Sequence, residues 1–191
     1  DGFATDGSHY FKPTNSITLS KDKAWTVEWQ GKISFNSVLL AFNNENDQGQ
    51  DKSGSYIYIH NDNDNDGNCI TLRHYNLTPD HTFSDLDSSL YAAPDTKWRL
   101  SYDGEGDLTL SANDQVIGTS NNAVTGDLTF NGVLGRFTDA PILCYTGQIS
   151  YLKVWEEVVP TELEVTVKDG VELSYGDRPT TDDITVTVVY N

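Results

Sequence analysis

Tyr56, Tyr58, His60, Arg73 and Tyr75 are the residues of this 191-residue chain whose types and spacing could do chemistry together. They share one stretch, Ser55 to Asn76 (SYIYIHNDNDNDGNCITLRHYN). Two runs rich in β-branched and aromatic residues flank a turn built of Asn, Asp and Gly, which reads as a β-hairpin. Alternation puts Ile57, Ile59, Ile70 and Leu72 on one face. Tyr56, Tyr58, His60, Cys69, Thr71, Arg73 and Tyr75 fall on the other. The chemistry would be sugar binding. A sugar ring has an apolar C–H face, which stacks on a flat aromatic, and a rim of hydroxyls, which suits planar groups such as Arg. Arg99 and Ser101 would join this face if Trp98, Leu100 and Tyr102 point into a core. The plain alternative is an ordinary wet sheet face, where tyrosine has high strand propensity. A rival site is the polar stretch Leu77 to Thr96, through His81, Phe83, Asp85 and Tyr91, because long loops are often functional.

Metal and catalytic chemistry are weaker. Asp62, Asp64, Asp66 and Gly67 match the first half of an EF-hand loop, but its twelfth position is Arg73 instead of a bidentate Glu, and strands rather than helices flank it. A Ca²⁺ ion on Asp62, Asp64 and Asp66, helped by Asp47 or Asp51, stays open beside the simpler reading of a solvated turn. No other cofactor is expected. Zinc and nucleophile-elbow signatures are missing from the sequence. A glycosidase on a sheet needs two carboxylates about 5–9 Å apart on one face. Glu28 stands alone among aromatics, and the adjacent Glu156 and Glu157 point to opposite sides. The expectation is a protein that is not an enzyme.

The elements that would position these residues are short alternating runs separated by Asn, Asp, Gly and Ser, the pattern of an all-β sandwich. In AWTVEWQGKISF, Trp25, Val27 and Trp29 alternate with Thr26, Glu28 and Gln30, so the tryptophans read as core. SVLLAF (Ser37–Phe42) is apolar nearly throughout, as a strand covered on both sides is. Trp98, Leu100 and Tyr102 alternate with Arg99 and Ser101. Asp103-Gly104-Glu105-Gly106 and Asn113-Asp114 turn the chain. Beyond Val159 the composition loses Trp and Phe, and residues 159–191 form a separate β segment, too short to hold a core alone. The formal charge of −17 argues against nucleic acid and anionic membranes, whose binding is driven by Lys and Arg. No apolar run approaches the roughly 18 residues that span a bilayer. Asp1 reads as the start of a processed or trimmed chain. Cys69 and Cys144 either pair or remain two thiols.

Four blocks resemble the laminin-G and concanavalin-A-like lectin jelly roll, in family order over nearly all of residues 3–158. TDGSHYF (Thr5–Phe11) is similar to its opening motif, WTVEWQGKI (Trp25–Ile33) to its "FTIEFWVKP" strand, KWRLSYDGEGDLTLSANDQVIG (Lys97–Gly118) to its "WHHVALTYDG" hairpin, and YTGQISYLKVW (Tyr145–Trp155) to its closing strand. Residues 159–191 resemble the first half of a bacterial immunoglobulin-like repeat, through Tyr175-Gly176-Asp177 and Val188-Val189-Tyr190. The resemblance implies a jelly-roll β-sandwich over 1–158 followed by a partial immunoglobulin-like segment. It also implies Trp98 and Trp155 at core positions, and it transfers no binding residues.

The expected protein is a non-catalytic carbohydrate-binding module of a secreted or cell-surface bacterial protein. It would hold polysaccharide or oligosaccharide by stacking and hydrogen bonds, with further domains of the same protein as neighbours. The pairing of modules resembles starch-adherence proteins of gut bacteria, which leans the glycan toward an α-glucan. The alternatives are a structural or adhesive spacer and a divergent glycoside hydrolase.

Overall fold

The computed structural model describes residues 3–6, 11–33, 37–42, 55–62, 67–73, 81–121, 124–137, 141–142, 145–157, 160–168, 171, 180 and 184–190. The chain divides into two compact units, Asp1–Glu156 and Glu157–Asn191. The first unit opens with β1 (Phe3–Asp6), β2 (Ile17–Leu19), β3 (Trp25–Ile33), β4 (Ser37–Phe42), β5 (Ser55–Asp62), β6 (Gly67–Arg73) and β7 (His81–Phe83). A short helix, α1 (Ser88–Ala92), leads to β8 (Lys97–Tyr102), β9 (Asp107–Ala112) and β10 (Gln115–Asn121). β11 (Leu128–Phe130), β12 (Gly132–Val133), β13 (Arg136–Phe137), β14 (Pro141–Ile142) and the long β15 (Thr146–Glu156) complete it. The second unit is an antiparallel pair, β16 (Pro160–Val167) with β17 (Ile184–Tyr190).

The fold is an all-β sandwich. One sheet runs β1-β15-β3-β8-β9-β10 and the other β12-β4-β5-β6-β7. Their inner faces meet in a single core. Trp25, Val27, Trp29, Trp98, Leu100, Leu108 and Leu110 come from the six-stranded sheet, and Leu39, Leu40, Ile57, Ile59, Ile70 and Leu72 from the five-stranded one. Each large aliphatic side chain removed from water there contributes roughly 1.5–3 kcal/mol. The Trp29 and Trp98 rings stack at 6.1 Å, and Tyr91 of α1 meets Trp98 edge-on at 5.3 Å.

Ser37, Val38, Leu39, Leu40 and Ala41 are all buried. A register shift in the β4–β5 pairing, between Val38 and Leu40, lets the neighbours Leu39 and Leu40 both join the core.

Two turns shape the six-stranded sheet. Between β8 and β9, one Asp103 carboxylate oxygen accepts from the backbone N–H groups of Glu105, Gly106 and Asp107 at 2.7, 2.8 and 3.0 Å. Gly104 there has φ +84°, and a Cβ would crowd the Ala24 backbone nitrogen. Between β9 and β10, Asn113 and Asp114 both have positive φ, as a two-residue hairpin turn requires. The Asn113 side chain accepts from the Lys97 backbone N–H at 2.9 Å.

The stretch 77–96 departs from the expected long loop. Residues 81–83 pair with β6 as a strand, and α1 is capped by Asp87, whose carboxylate accepts from the Ser89 N–H at 2.8 Å.

Candidate functional site

The hairpin forms as expected, β5 against β6, with Tyr56 opposite Arg73, Tyr58 opposite Thr71 and His60 opposite Cys69. Ile57, Ile59, Ile70 and Leu72 face the core. On the opposite face Tyr58 is half-buried and Arg73 exposed, while Cys69 and Thr71 are buried. Thr71 and Thr82 share a hydroxyl hydrogen bond of 3.0 Å. The side chains of Tyr56, His60 and Asp62, and all of Asp64, Asp66, Tyr75 and Cys144, lie outside the described residues. Among the described residues, no group of His, Cys, Asp and Glu could hold a metal ion.

Two expectations are corrected. Arg99 does not share the hairpin face: its strand β8 belongs to the six-stranded sheet, where it pairs with β3 and β9. Trp98, Leu100 and Tyr102 do face the core, so Arg99 points outward from the other layer. The rival loop site also fails as a presenting surface. His81, Phe83 and Tyr91 are 2%, 7% and 8% exposed, and only Asp85 is open to solvent. His81 and Phe83 stand opposite Leu72 and Ile70 in register, so they face the core. His81 Nδ1 lies 2.8 Å from Ser120 Oγ of β10, tying an edge of one sheet to an edge of the other.

The outer face of the six-stranded sheet carries the chemistry. Register lays out three rows across it. Trp155, Thr26, Ser101 and Thr109 form the first, Lys153, Glu28, Arg99 and Ser111 the second, and Tyr151, Gln30 and Lys97 the third. Neighbours within a row are about 4.8 Å apart, and rows follow one another at about 6.8 Å. A one-residue bulge at Ser150 decides what β15 contributes. Ile149 pairs with Gly31 and Tyr151 with Gln30, so the alternation changes phase between them. Ile149 is buried before the bulge; after it Tyr151, Lys153 and Trp155 point outward while Leu152 and Val154 pack on the core. Gly31 has to be glycine here, because a Cβ would run into the Gln148 carbonyl oxygen.

Glu28 is the centre of this face. Its Oε2 accepts from Arg99 Nε and Nη2 at 3.2 and 2.8 Å, and its Oε1 accepts from the Tyr151 hydroxyl at 3.0 Å. Arg99 also reaches Asp114 at 3.7 Å, and Lys97 holds Asp114 at 2.8 Å. Beside them Thr26 donates to Ser101 Oγ at 3.3 Å. Lys153 Nζ lies 4.5 Å from the centre of the Tyr151 ring. Burial works to raise the Glu28 carboxyl, but the bonds from Arg99 and Tyr151 outweigh it and hold it below the usual carboxylate range. The bond to Glu28 lifts Arg99 further from deprotonation. Burial, then the bond to Glu28, pushes the Tyr151 phenol up to about 12. Glu28 is thus fixed as an anion and Tyr151 as a donor.

Trp155 is 38% exposed, which corrects its expected core position; Trp98 is fully buried, as read. Tyr151 and Lys153 were absent from the sequence-based site, and Glu28 was read only as an isolated carboxylate. The alternation Tyr151-Leu152-Lys153-Val154-Trp155 was the available signal, since two apolar residues alternate with three that a core does not need. A separate recess of about 470 Å³ is lined by Phe11, Val133, Leu134, Ile149 and Leu152, all apolar and unsuited to a hydroxylated ligand.

No protein-family model and no curated protein sequence matches the chain. Among solved structures, the chain is similar to one described under the dependence of botulinum neurotoxin type C cell entry on two ganglioside molecules (11% identity, TM-score 0.41). It is also similar to the binding domain of botulinum neurotoxin DC in complex with SialylT (11% identity, TM-score 0.39). Each of these alignments covers 81% of this chain and 43% of the other, so the chain spans less than half the length of those proteins. A third likeness is an alginate lyase from Pseudomonas aeruginosa, at 12% identity and TM-score 0.36, over 72% of this chain and 66% of that one. Likenesses this distant say nothing of what this chain binds.

Proposed function

We propose that residues 1–156 are a non-catalytic carbohydrate-binding module whose ligand lies on the outer face of the six-stranded sheet. The observation that carries this reading is the exposed indole of Trp155 on the same face as Tyr151 and the fixed Arg99–Glu28 pair. The core has no use for these side chains, and a wet sheet face could be made of Thr and Ser. An open indole offers a stacking surface for the C–H side of a sugar. Arg99, Ser101 and Gln30 offer hydrogen bonds to its rim in a geometry set before the ligand arrives. Trp155 and Tyr151 are four residues apart on one strand, about 13 Å, which suits a short oligosaccharide better than a single ring. An open face of this kind binds at micromolar Kd or weaker, about −8 kcal/mol or less, and gains from repetition of the module. The wider reading, a secreted or cell-surface bacterial protein holding an α-glucan such as starch, goes with the order of the two units and not with any side chain of this face.

A second reading places the ligand on the hairpin face, favoured by the exposed Arg73 beside half-buried Tyr58. Affinity electrophoresis in gels containing starch, xylan, β-glucan or mucin separates the two. Retardation that Trp155→Ala abolishes and the Tyr58→Ala, Arg73→Ala double variant leaves intact supports the six-stranded sheet. The reverse pattern moves the site to the hairpin. A protein retarded neither in these gels nor in one containing a uronic-acid polysaccharide is a spacer.

A further inference from the structure

We infer that the glycan taken by this face carries carboxylates, as a uronic-acid polysaccharide does. The inference rests on the glycan-binding reading above and deepens it, with an acidic glycan in place of the α-glucan of the wider reading. The whole chain has only 12 Lys and Arg against 29 Asp and Glu. Four of those cations, Lys32, Lys97, Arg99 and Lys153, lie on outward positions of this one sheet face. Arg99 and Lys97 are matched by Glu28 and Asp114, both at 2.8 Å. Lys153 and Lys32 are exposed, and among the described residues neither makes an ion pair. They flank Tyr151: Lys153 sits above its ring, and Lys32 lies one row beyond it on β3.

Among the described residues, the β15–β3 half of the face therefore holds two positive charges outside any ion pair, the exposed Asp107 lying on the far strand β9, on a protein whose net charge is −17. A polyanion is repelled by the rest of the surface and drawn to this place, so the field orients as well as attracts. The spacing suits an acidic sugar. Trp155 offers the stacking surface, and Lys153, two residues along the same strand and about 7 Å away, reaches a carboxylate on that ring or the next. A neutral glucan uses Trp155 and gains nothing from Lys153.

The test is calorimetric titration of the 191-residue protein with oligogalacturonate and hyaluronan fragments, each beside its uncharged methyl ester, and with a maltooligosaccharide. The acidic forms should bind about tenfold more tightly than their esters, the worth of one charge-assisted contact, and weaken as salt is raised. Lys153→Gln should erase the difference between acid and ester while the ester's affinity holds. Trp155→Ala should lower both. Esters or maltooligosaccharide binding as well as the acids, or acid binding indifferent to Lys153→Gln, overturns the charge assignment and leaves the glycan reading standing. Silence toward every sugar overturns both.

Discussion

Arg99 grips Glu28 from the neighbouring strand, both Nε and Nη2 donating to the one oxygen Oε2. Tyr151, from the strand on the other side, takes the second oxygen. One carboxylate thus clasps β8, β3 and β15 on the outside of the sandwich, where hydrophobic packing does not. The pair is unequal: the Glu28 side chain is 9% exposed and that of Arg99 37%. Removing the anion therefore strands a cation that water can still reach.

Glu28→Gln should lower unfolding stability by about 1–2 kcal/mol, between the cost of an exposed pair and that of a fully buried one. Chemical denaturation measures it. The same variant should weaken glycan binding, because Arg99 and Tyr151 lose the group that orients them. An unchanged midpoint together with unchanged affinity would show that the clasp does nothing in solution.

The Glu28 carboxyl has a folded pKa below its ordinary 4.5. A group depressed on folding contributes stability above its unfolded value, and that contribution is lost as pH falls through the folded one. Asp103 and Asp114 are also held below their ordinary 3.8, Asp103 by backbone N–H groups that outweigh its burial and Asp114 by Lys97. The urea midpoint should decline as pH drops from about 5 toward 3, and the decline should be shallower in Glu28→Gln. Parallel curves for the two proteins would contradict the assigned shift.

Trp155→Ala should leave stability within about 0.5–1 kcal/mol of the parent, as surface substitutions do. It should weaken glycan binding by about 1–2 kcal/mol, roughly tenfold. Circular dichroism and calorimetry together distinguish loss of the stacking surface from loss of the fold.

Asp103→Ala removes the acceptor of three backbone N–H groups at the β8–β9 turn. The expected cost is about 1–2 kcal/mol, comparable to losing a helix cap. Hydrogen exchange should quicken at Glu105 to Asp107 first, with protection of the buried strands retained.

Much of the layering could be read from the chain. Trp25, Val27 and Trp29 announce their inward face by strict alternation, as do Ile57, Ile59, Ile70 and Leu72, because a half-buried strand imposes a period of two. SVLLAF announces burial on both sides. Which sheet a strand joins is a different matter. Arg99 faces the way its neighbours imply, but it pairs with Glu28, 71 residues earlier, and local pattern carries no such information. His81 and Phe83 were lost in a polar stretch because β7 has only three residues, too few for a period to register. Trp155 departs from the core position that the family resemblance implies, because the bulge at Ser150 sets the phase of the strand so that it points outward.

Ser150 is the smallest feature with the largest reach. As the extra residue in β15, it separates two halves of one strand that answer to different demands. The half before it continues the packing of Tyr145 and Ile149, and the half after it turns three reactive-looking side chains to the solvent. Removing this one serine would heal the bulge: Tyr151 would follow Ile149 directly, keep its pairing with Gln30, and leave Lys153 and Trp155 facing outward. A length change of one residue is therefore absorbed at 150 itself but would exchange the inner and outer sets if made within residues 151–155, whereas substitutions at 153 and 155 are cheap. The strand is a frame with a fixed reading phase, and its last outward positions are free to diversify without disturbing the layer beneath.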